Sequence, residues 1–291
     1  MSQIMNITEV KEELLILYEK SLFFSDDYNY HPIRVIQAVK SIIGIDINRP
    51  ICNLVYFCEE YVDRYDYNKI VDYKNANLEL PVMMSYKNLE ESLINKDSEE
   101  SYRNIYYLTT VSEGMQIVEF LLEYSLKYSK KSYLFIWSVY RMMLFTDKKF
   151  IFKSLLLCVD SLIKSKTEIA FDEKNFNDEG CIIWEKIEKD KFELMAVIFS
   201  IYNSKLVRKE TINHYISKIL KNKKQRSIKD NVDLSDIDRE WIGSYFRGIL
   251  LDDIKVDKVL EYDAIRSIVK CTNDNHLNNF EIKKYIEIKC N

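Results

Sequence analysis

The chain has 291 residues, of which 47% are hydrophobic and 30% are charged, with a formal net charge of −4. This apolar content is sufficient for a folded core, while the interspersed charges exclude an integral membrane protein. The small negative charge gives no general attraction for nucleic acid or anionic lipid, so neither is expected as a partner. The first twenty residues carry several charges where a secretory signal needs an apolar run, which predicts a cytoplasmic protein.

Glycine and proline are scarce, and the few present mark helix boundaries. Pro32 is predicted to open a helix that ends at Gly44, and Pro50 is predicted to open the next one. The apolar period is lost between residues 68 and 96. We expect a long loop there, with at most one short helix near 88 to 94.

Capping patterns predict the helices that follow. Residues 97 to 100 (DSEE) form a capping-box pattern, Ser112 is predicted to cap the next helix, and Asp147 is predicted to cap a helix that ends near Lys164. Residues 132 to 145 are apolar on almost every helical face. We therefore expect that helix to be buried on most sides.

The second half of the chain continues the helical pattern. Helices are predicted over about 181–189, 191–203, 208–221, 235–251, 256–271 and 279–289. The spacing predicts an all-α fold, in which about a dozen helices form antiparallel hairpins in a compact, irregular solenoid-like array. Two such hairpins, at 132–164 and 190–221, echo each other. The predicted domains are a main helical domain (1–221), a basic polar linker (222–234) and a C-terminal helical subdomain (235–291).

Metal and cofactor motifs are absent from the sequence, including phosphate-binding loops and zinc spacings. Glu210 and His214 lie four residues apart on a predicted helix, a geometry that could supply two metal ligands but is commoner for a surface pair. Six positive charges between residues 218 and 229 are typical of a solvated helix end. We expect no metal and no cofactor.

The segment from Tyr30 to Arg34 carries the best candidate site. His31 is at a helix start, where the positive end of the helix dipole favours a neutral imidazole. Such a histidine can act as a ligand or a base, or it can simply cap the helix. Arg34 follows one turn later and Tyr30 precedes it.

The order His-x-Ile-Arg-x-x-x-Ala-Val-Lys in residues 31–40 resembles a segment of the questin-oxidase-like family of helical proteins. Residues 107–114 (YLTTVSEG) resemble that family's Leu-His-x-Val-Thr segment, and residues 133–144 occupy the place of its aromatic-rich helix. Residues 185–200 fall where the family has an acidic-His-x-Ile-Lys stretch. The resemblance implies a helical scaffold and the oxidation of aromatic polyketides at a site of histidines and a lysine around iron.

The chain departs from the family at most positions of that site. His31 matches, but Thr109 stands where the second histidine belongs. Leu194 or Met195 replaces the third histidine, and an apolar residue near Val197 replaces the lysine. A single imidazole does not hold iron, so the resemblance implies a scaffold that has lost most of its site.

Two functions remain open on these residues. The first is a non-catalytic helical protein that binds a protein partner or an apolar small ligand. The alternative is an oxidoreductase of small aromatic molecules that uses His31 together with Tyr30, Arg34 and Thr109. The sequence does not specify the oligomeric state.

Overall fold

The computed structural model describes residues 5–65, 85–129, 131–165, 192–220 and 254–275. In these ranges 75% of the residues are helical, with eleven helices and no strand. The all-α prediction is confirmed. The helices are α1 (Ile7–Ser21), α2 (Pro32–Ile43), α3 (Asn53–Val62), α4 (Tyr86–Ile94), α5 (Ser98–Val111), α6 (Met115–Tyr128), α7 (Ser132–Phe145), α8 (Ile151–Lys164), α9 (Phe192–Ser204), α10 (Lys209–Leu220) and α11 (Val256–Asn275).

Several predicted boundaries agree with the structure. Helix α2 begins at Pro32 and ends just before Gly44. The Asp97 carboxylate accepts a hydrogen bond from the backbone N–H of Glu100 at 3.0 Å, so the predicted cap of α5 is confirmed. The short helix expected near 88 to 94 is α4.

Three predicted helix starts are wrong. Helix α3 begins at Asn53 rather than at Pro50. The N-cap of α6 is Gly114 rather than Ser112, because the left-handed φ of 82° at Gly114 forms the turn between α5 and α6. Helix α8 begins at Ile151 rather than beside Asp147, whose left-handed φ of 49° belongs to the preceding turn.

Helix α1 was not predicted, although the sequence contains its start signal. The Asn6 side chain accepts hydrogen bonds from the backbone N–H groups of Thr8 and Glu9, and the Glu9 carboxylate accepts from the N–H of Asn6. This reciprocal arrangement is a capping box. The charged residues of this segment concealed the apolar stripe that α1 buries, which consists of Val10, Leu14, Leu17 and Tyr18.

The described residues divide into two compact units. One comprises residues 5–12, 38–57, 192–220 and 254–275, and the other comprises residues 13–37, 58–65, 85–129 and 131–165. In the first unit α9 packs against α10 and α11. The predicted linker and the predicted helices at 181–189, 235–251 and 279–289 lie outside the described residues, so the domain boundaries stay a prediction.

The second unit is organised around α7 and α8. Helix α8 contacts α4, α5, α6 and α7, and α7 also contacts α6. As predicted, α7 is buried along most of its length; Leu144, 58% exposed, is an exception. In the same unit the Tyr18 hydroxyl of α1 donates to the Gln37 side chain of α2 at 2.9 Å. No helix in the described ranges is both long and apolar enough to cross a membrane.

Candidate functional site

His31 caps α2 with one ring nitrogen and holds the preceding loop with the other. Its Nδ1 accepts the backbone N–H of Ile33 at 3.2 Å, and its Nε2 lies 3.0 Å from the Phe24 carbonyl oxygen. The tautomer with the proton on Nε2 satisfies both bonds. Burial lowers the pKa of His31 to about 4, although the Phe24 carbonyl opposes this shift. Both nitrogens of this neutral ring are therefore engaged by backbone groups.

Arg34 and two tyrosines hold the end of the same loop. The loop between α1 and α2 comprises residues 22–31 and is called the α1–α2 loop below. Arg34 is 4% exposed and donates from Nη1 to the Asn29 carbonyl. The Tyr30 carbonyl accepts from the Tyr61 hydroxyl at 2.6 Å, and the Tyr65 hydroxyl lies 3.1 Å from the same oxygen. Tyr30 itself is 40% exposed.

Asp160 of α8 is the second attachment point of the loop. Its carboxylate accepts hydrogen bonds from the Tyr28 hydroxyl and, at 3.1 Å, from the Tyr102 hydroxyl. The ammonium of Lys164 lies 2.8 Å from the same carboxylate and also donates to the Ser25 carbonyl. Burial, followed by the charge of Asp160, raises the pKa of Tyr28. Tyr28 therefore stays protonated and keeps its donor role.

Three rings pack together beneath the loop. The Tyr28 and His31 rings are parallel, with an interplanar angle of 1° and centroids 5.5 Å apart. Phe135 of α7 presents its edge to both, at centroid distances of 4.7 Å to Tyr28 and 4.8 Å to His31. This packing explains why His31 is fully buried although it belongs to a loop end.

The loop is thus fixed from within and exposed at its tip. The backbone carbonyls of four loop residues accept hydrogen bonds from side chains of α2, α3, α8 and the last loop residue, His31: Phe24, Ser25, Asn29 and Tyr30. The exposed side chains are those of Asp26, Asp27, Asn29 and Tyr30. Asp27 adopts a left-handed φ of 37°, a conformation that an aspartate adopts more readily than most residues.

A cleft of about 380 Å³ opens beside the tip. It lies between the loop, the α6–α7 junction and the C-terminal end of α8. More of its exposed surface is apolar than polar, although most of the residues that line it are of polar types: Asp26, Asp27, Tyr28, Asn29, Ser129, Lys131, Ser132, Ser161, Lys164 and Ser165.

The structure brings three of the four predicted site residues together. Tyr30, His31 and Arg34 all belong to the loop or to the helix turn that holds it. Thr109 lies on α5, where its hydroxyl donates to the Tyr106 carbonyl at 2.7 Å, and no hydrogen bond joins it to the other three among the described residues.

Sequence reasoning missed Tyr28, Asp160 and Lys164. They come from segments more than a hundred residues apart, and no local motif joins such segments. One signal was available: Asp160 is the single acidic residue in the otherwise apolar stretch of α8. A lone carboxylate in such a helix usually has a buried partner.

The remaining metal candidates do not form a site. His214 is 3% exposed on α10, whereas Glu210 is exposed. Across the described ranges no group of three or more histidine, cysteine, aspartate or glutamate side chains is placed to hold a metal ion. Cys58 and Cys158 are free thiols whose pKa burial raises, which makes them unreactive.

No protein-family model, curated protein or solved structure matches this chain. The resemblance to questin-oxidase-like proteins therefore stays an expectation based on short motifs. Leu194 and Met195, which stand at one histidine position of that family, are buried in α9.

Proposed function

We propose that this chain is a non-catalytic helical protein that recognises a protein partner through the tip of the α1–α2 loop. The observation that carries the proposal is that side chains hold four loop carbonyls while Asp26, Asp27, Asn29 and Tyr30 are left exposed. Loops that a rigid scaffold positions in this way are frequent binding elements.

Fixing the loop before binding favours affinity. A mobile loop loses conformational entropy when it binds, and a loop that is already held loses less. Tyr30 supports the choice of a protein partner, because tyrosine is enriched among the residues that dominate binding energy at protein interfaces.

Binding is favoured over catalysis by the hydrogen bonds of the ionisable groups. An oxidase based on His31 needs a free ring nitrogen, and the Phe24 carbonyl and Ile33 N–H occupy both. Asp160 already has three partners, one of which is the ammonium of Lys164. These groups serve to hold the loop.

Site-specific photo-crosslinking tests the proposal. A benzophenone amino acid replaces Tyr30 in one variant and Leu144, an exposed residue of α7, in a matched control. We expect one defined protein from the native cell to be crosslinked through position 30 and not through position 144. Purified partner should then bind Tyr30→Ala at least about tenfold more weakly than wild type. Equal crosslinking from both positions, or none from position 30, would contradict the proposal.

A further inference from the structure

The imidazole of His31 joins three parts of the α1–α2 loop. Its Nδ1 accepts the N–H of Ile33 at the start of α2, and its Nε2 donates to the carbonyl of Phe24 near the start of the loop. Its face packs against the ring of Tyr28 in the middle of the loop. If the imidazole left this position, all three contacts would be lost together.

This position accommodates a neutral imidazole but not a charged one. A second ring proton would be placed on Nδ1, which already accepts the N–H of Ile33, so two donors would face each other. The ring is fully buried, so water cannot solvate its charge, and this burial is the main reason why the pKa of His31 falls to about 4. A protonated His31 is therefore stable only after it has left its position.

The charged groups that face the ring come from two helices and act in opposite directions. In addition to burial, the guanidinium of Arg34 on α2 lowers the pKa of His31. The carbonyl of Phe24 and the carboxylate of Asp160 on α8 raise it, but together they do not compensate for burial. Helix α7 contributes the uncharged ring of Phe135. The surroundings of the ring therefore oppose protonation in the held loop.

We infer that the α1–α2 loop is an acid-sensitive switch, in which uptake of one proton by His31 detaches the loop while the rest of its unit stays folded. The other side chains that hold loop carbonyls are an arginine, a lysine and a tyrosine, residue types that keep their protons in acid. The inference rests on the proposed function and describes its regulation. A partner that binds the held loop binds more weakly as the fraction of held loop falls.

Amide hydrogen exchange of the free protein tests the switch. The informative amides are those of Tyr30, Ile33 and Arg34, which are bonded to the carbonyl of Asp27 and to the Nδ1 and carbonyl of His31. If His31 has its ordinary pKa of 6.5 in the opened loop, that state becomes about twentyfold more populated between pH 7 and pH 5. The protection factors of these amides, corrected for the intrinsic effect of pH on exchange, should fall by about the same factor.

Two comparisons within the same unit show whether the opening is local. The amide of Lys148 is bonded to the Met143 carbonyl in the turn between α7 and α8, and its protection should not change between the two pH values. The loop amides should also be less protected than the amides of buried α7, because opening a loop costs less free energy than unfolding. An equal fall at Lys148, or equal protection in the loop and in α7, would overturn the inference.

His31→Asn is the matched variant, because its side chain can still accept the Ile33 N–H but does not titrate. The protection of its loop should be the same at pH 7 and at pH 5. A fall like that of wild type would mean that a carboxylate such as Asp160 takes up the proton, and the switch would be refuted. Ring ¹⁵N signals of the wild type give a test that does not depend on the variant: they should place the proton on Nε2 at pH 7, and a proton on Nδ1 would contradict the inference.

These measurements use no partner, so their failure is distinguishable from failure of the proposed function. Crosslinking through position 30 together with a loop that opens equally at both pH values would refute the switch alone. Acid-dependent opening without crosslinking through position 30 would support the switch and refute the recognition of a partner.

Discussion

The α1–α2 loop and the turn between α7 and α8 are both connections in the same unit, but they are held in different ways. The α7–α8 turn, residues 146–150, is built from its own backbone. Lys148 donates its N–H to the Met143 carbonyl at 2.9 Å, and Lys149 donates to the Thr146 carbonyl at 3.1 Å. The α1–α2 loop has backbone bonds as well, but four of its carbonyls accept hydrogen bonds from side chains. Two of these side chains, His31 and Arg34, are close in sequence, and the other two, Tyr61 of α3 and Lys164 of α8, come from distant helices.

This difference supports the proposal that the α1–α2 loop has a use beyond joining two helices. In the α7–α8 turn these backbone groups bond locally, and the charged residues Asp147, Lys148 and Lys149 are exposed. The α1–α2 loop requires the partly buried Asp160, the fully buried His31 and the almost fully buried Arg34, all of which are unfavourable to bury without partners. Such an arrangement is expected where the shape of the loop itself matters.

The largest predicted effect comes from breaking the attachment of the loop to α8. Asp160→Ala leaves Tyr28, Tyr102 and Lys164 without their shared acceptor, so the free energy of unfolding should fall by about 3 kcal/mol. Urea unfolding measures it. The free energy of unfolding of Asp160→Asn, which keeps one acceptor oxygen, should fall less than that of Asp160→Ala. A fall below about 1 kcal/mol for the alanine variant would mean that the carboxylate does not hold the loop.

Local and long-range contacts differed in how well the sequence predicted them. The sequence correctly predicted the bounds of α2 and the N-cap at Asp97, because the residues that mark a helix end are close in sequence to the helix that they bound. It also located Tyr30, His31 and Arg34, since a histidine next to a proline marks a helix start. It could not pair Tyr28 with Asp160, because nothing in a single sequence relates two segments so far apart. Thr109 entered only through the family resemblance, and the fold places it in local contacts of α5.

The second effect concerns the turn between α5 and α6. A Cβ atom on Gly114 would lie 2.5 Å from Cγ2 of Ile151, and the φ of 82° is unfavourable for any other residue. Gly114→Ala should therefore destabilise the fold by about 2 kcal/mol, as measured by urea unfolding. In the Ile151→Ala background the same substitution should have a smaller effect, because the clash is removed while the backbone strain remains. If Gly114→Ala cost the same free energy of unfolding in the Ile151→Ala background as in wild type, Ile151 would not be the residue that the new Cβ atom meets.

The third effect is a pH dependence that distinguishes the loop from the turn. The folded pKa of His31, about 4, is below its ordinary value of 6.5. The folded state therefore keeps the ring neutral while the ring of the unfolded state takes up a proton. Because this proton stabilises the unfolded state, the free energy of unfolding falls as the pH decreases from 6.5 towards 4. Between pH 7 and pH 5 the loss should be about 2 kcal/mol.

His31→Asn is the comparison variant for that measurement, because the asparagine side chain can still accept the Ile33 N–H as a helix cap. Its free energy of unfolding at pH 7 and at pH 5 should differ less than that of wild type. An identical pH dependence in the two proteins would mean that His31 is not the group responsible.

The smallest effect is expected at the exposed ion pair of the turn. Lys148 Nζ lies 2.8 Å from Glu113 Oε2, and the Glu113 side chain is 82% exposed. Water screens such a pair, so Glu113→Gln should leave the midpoint of urea unfolding unchanged within error. A clear shift would show that this turn also depends on side-chain contacts, which would weaken the contrast with the α1–α2 loop.

The central claim is that the α1–α2 loop is held in one conformation before any partner arrives. Backbone ¹⁵N relaxation of the free protein tests this directly at the amides of residues 24–30. The hydrogen bonds to the Phe24, Ser25, Asn29 and Tyr30 carbonyls predict order parameters near 0.85, equal to those of α2. Values below about 0.6 at the loop, with α2 still rigid, would contradict the account.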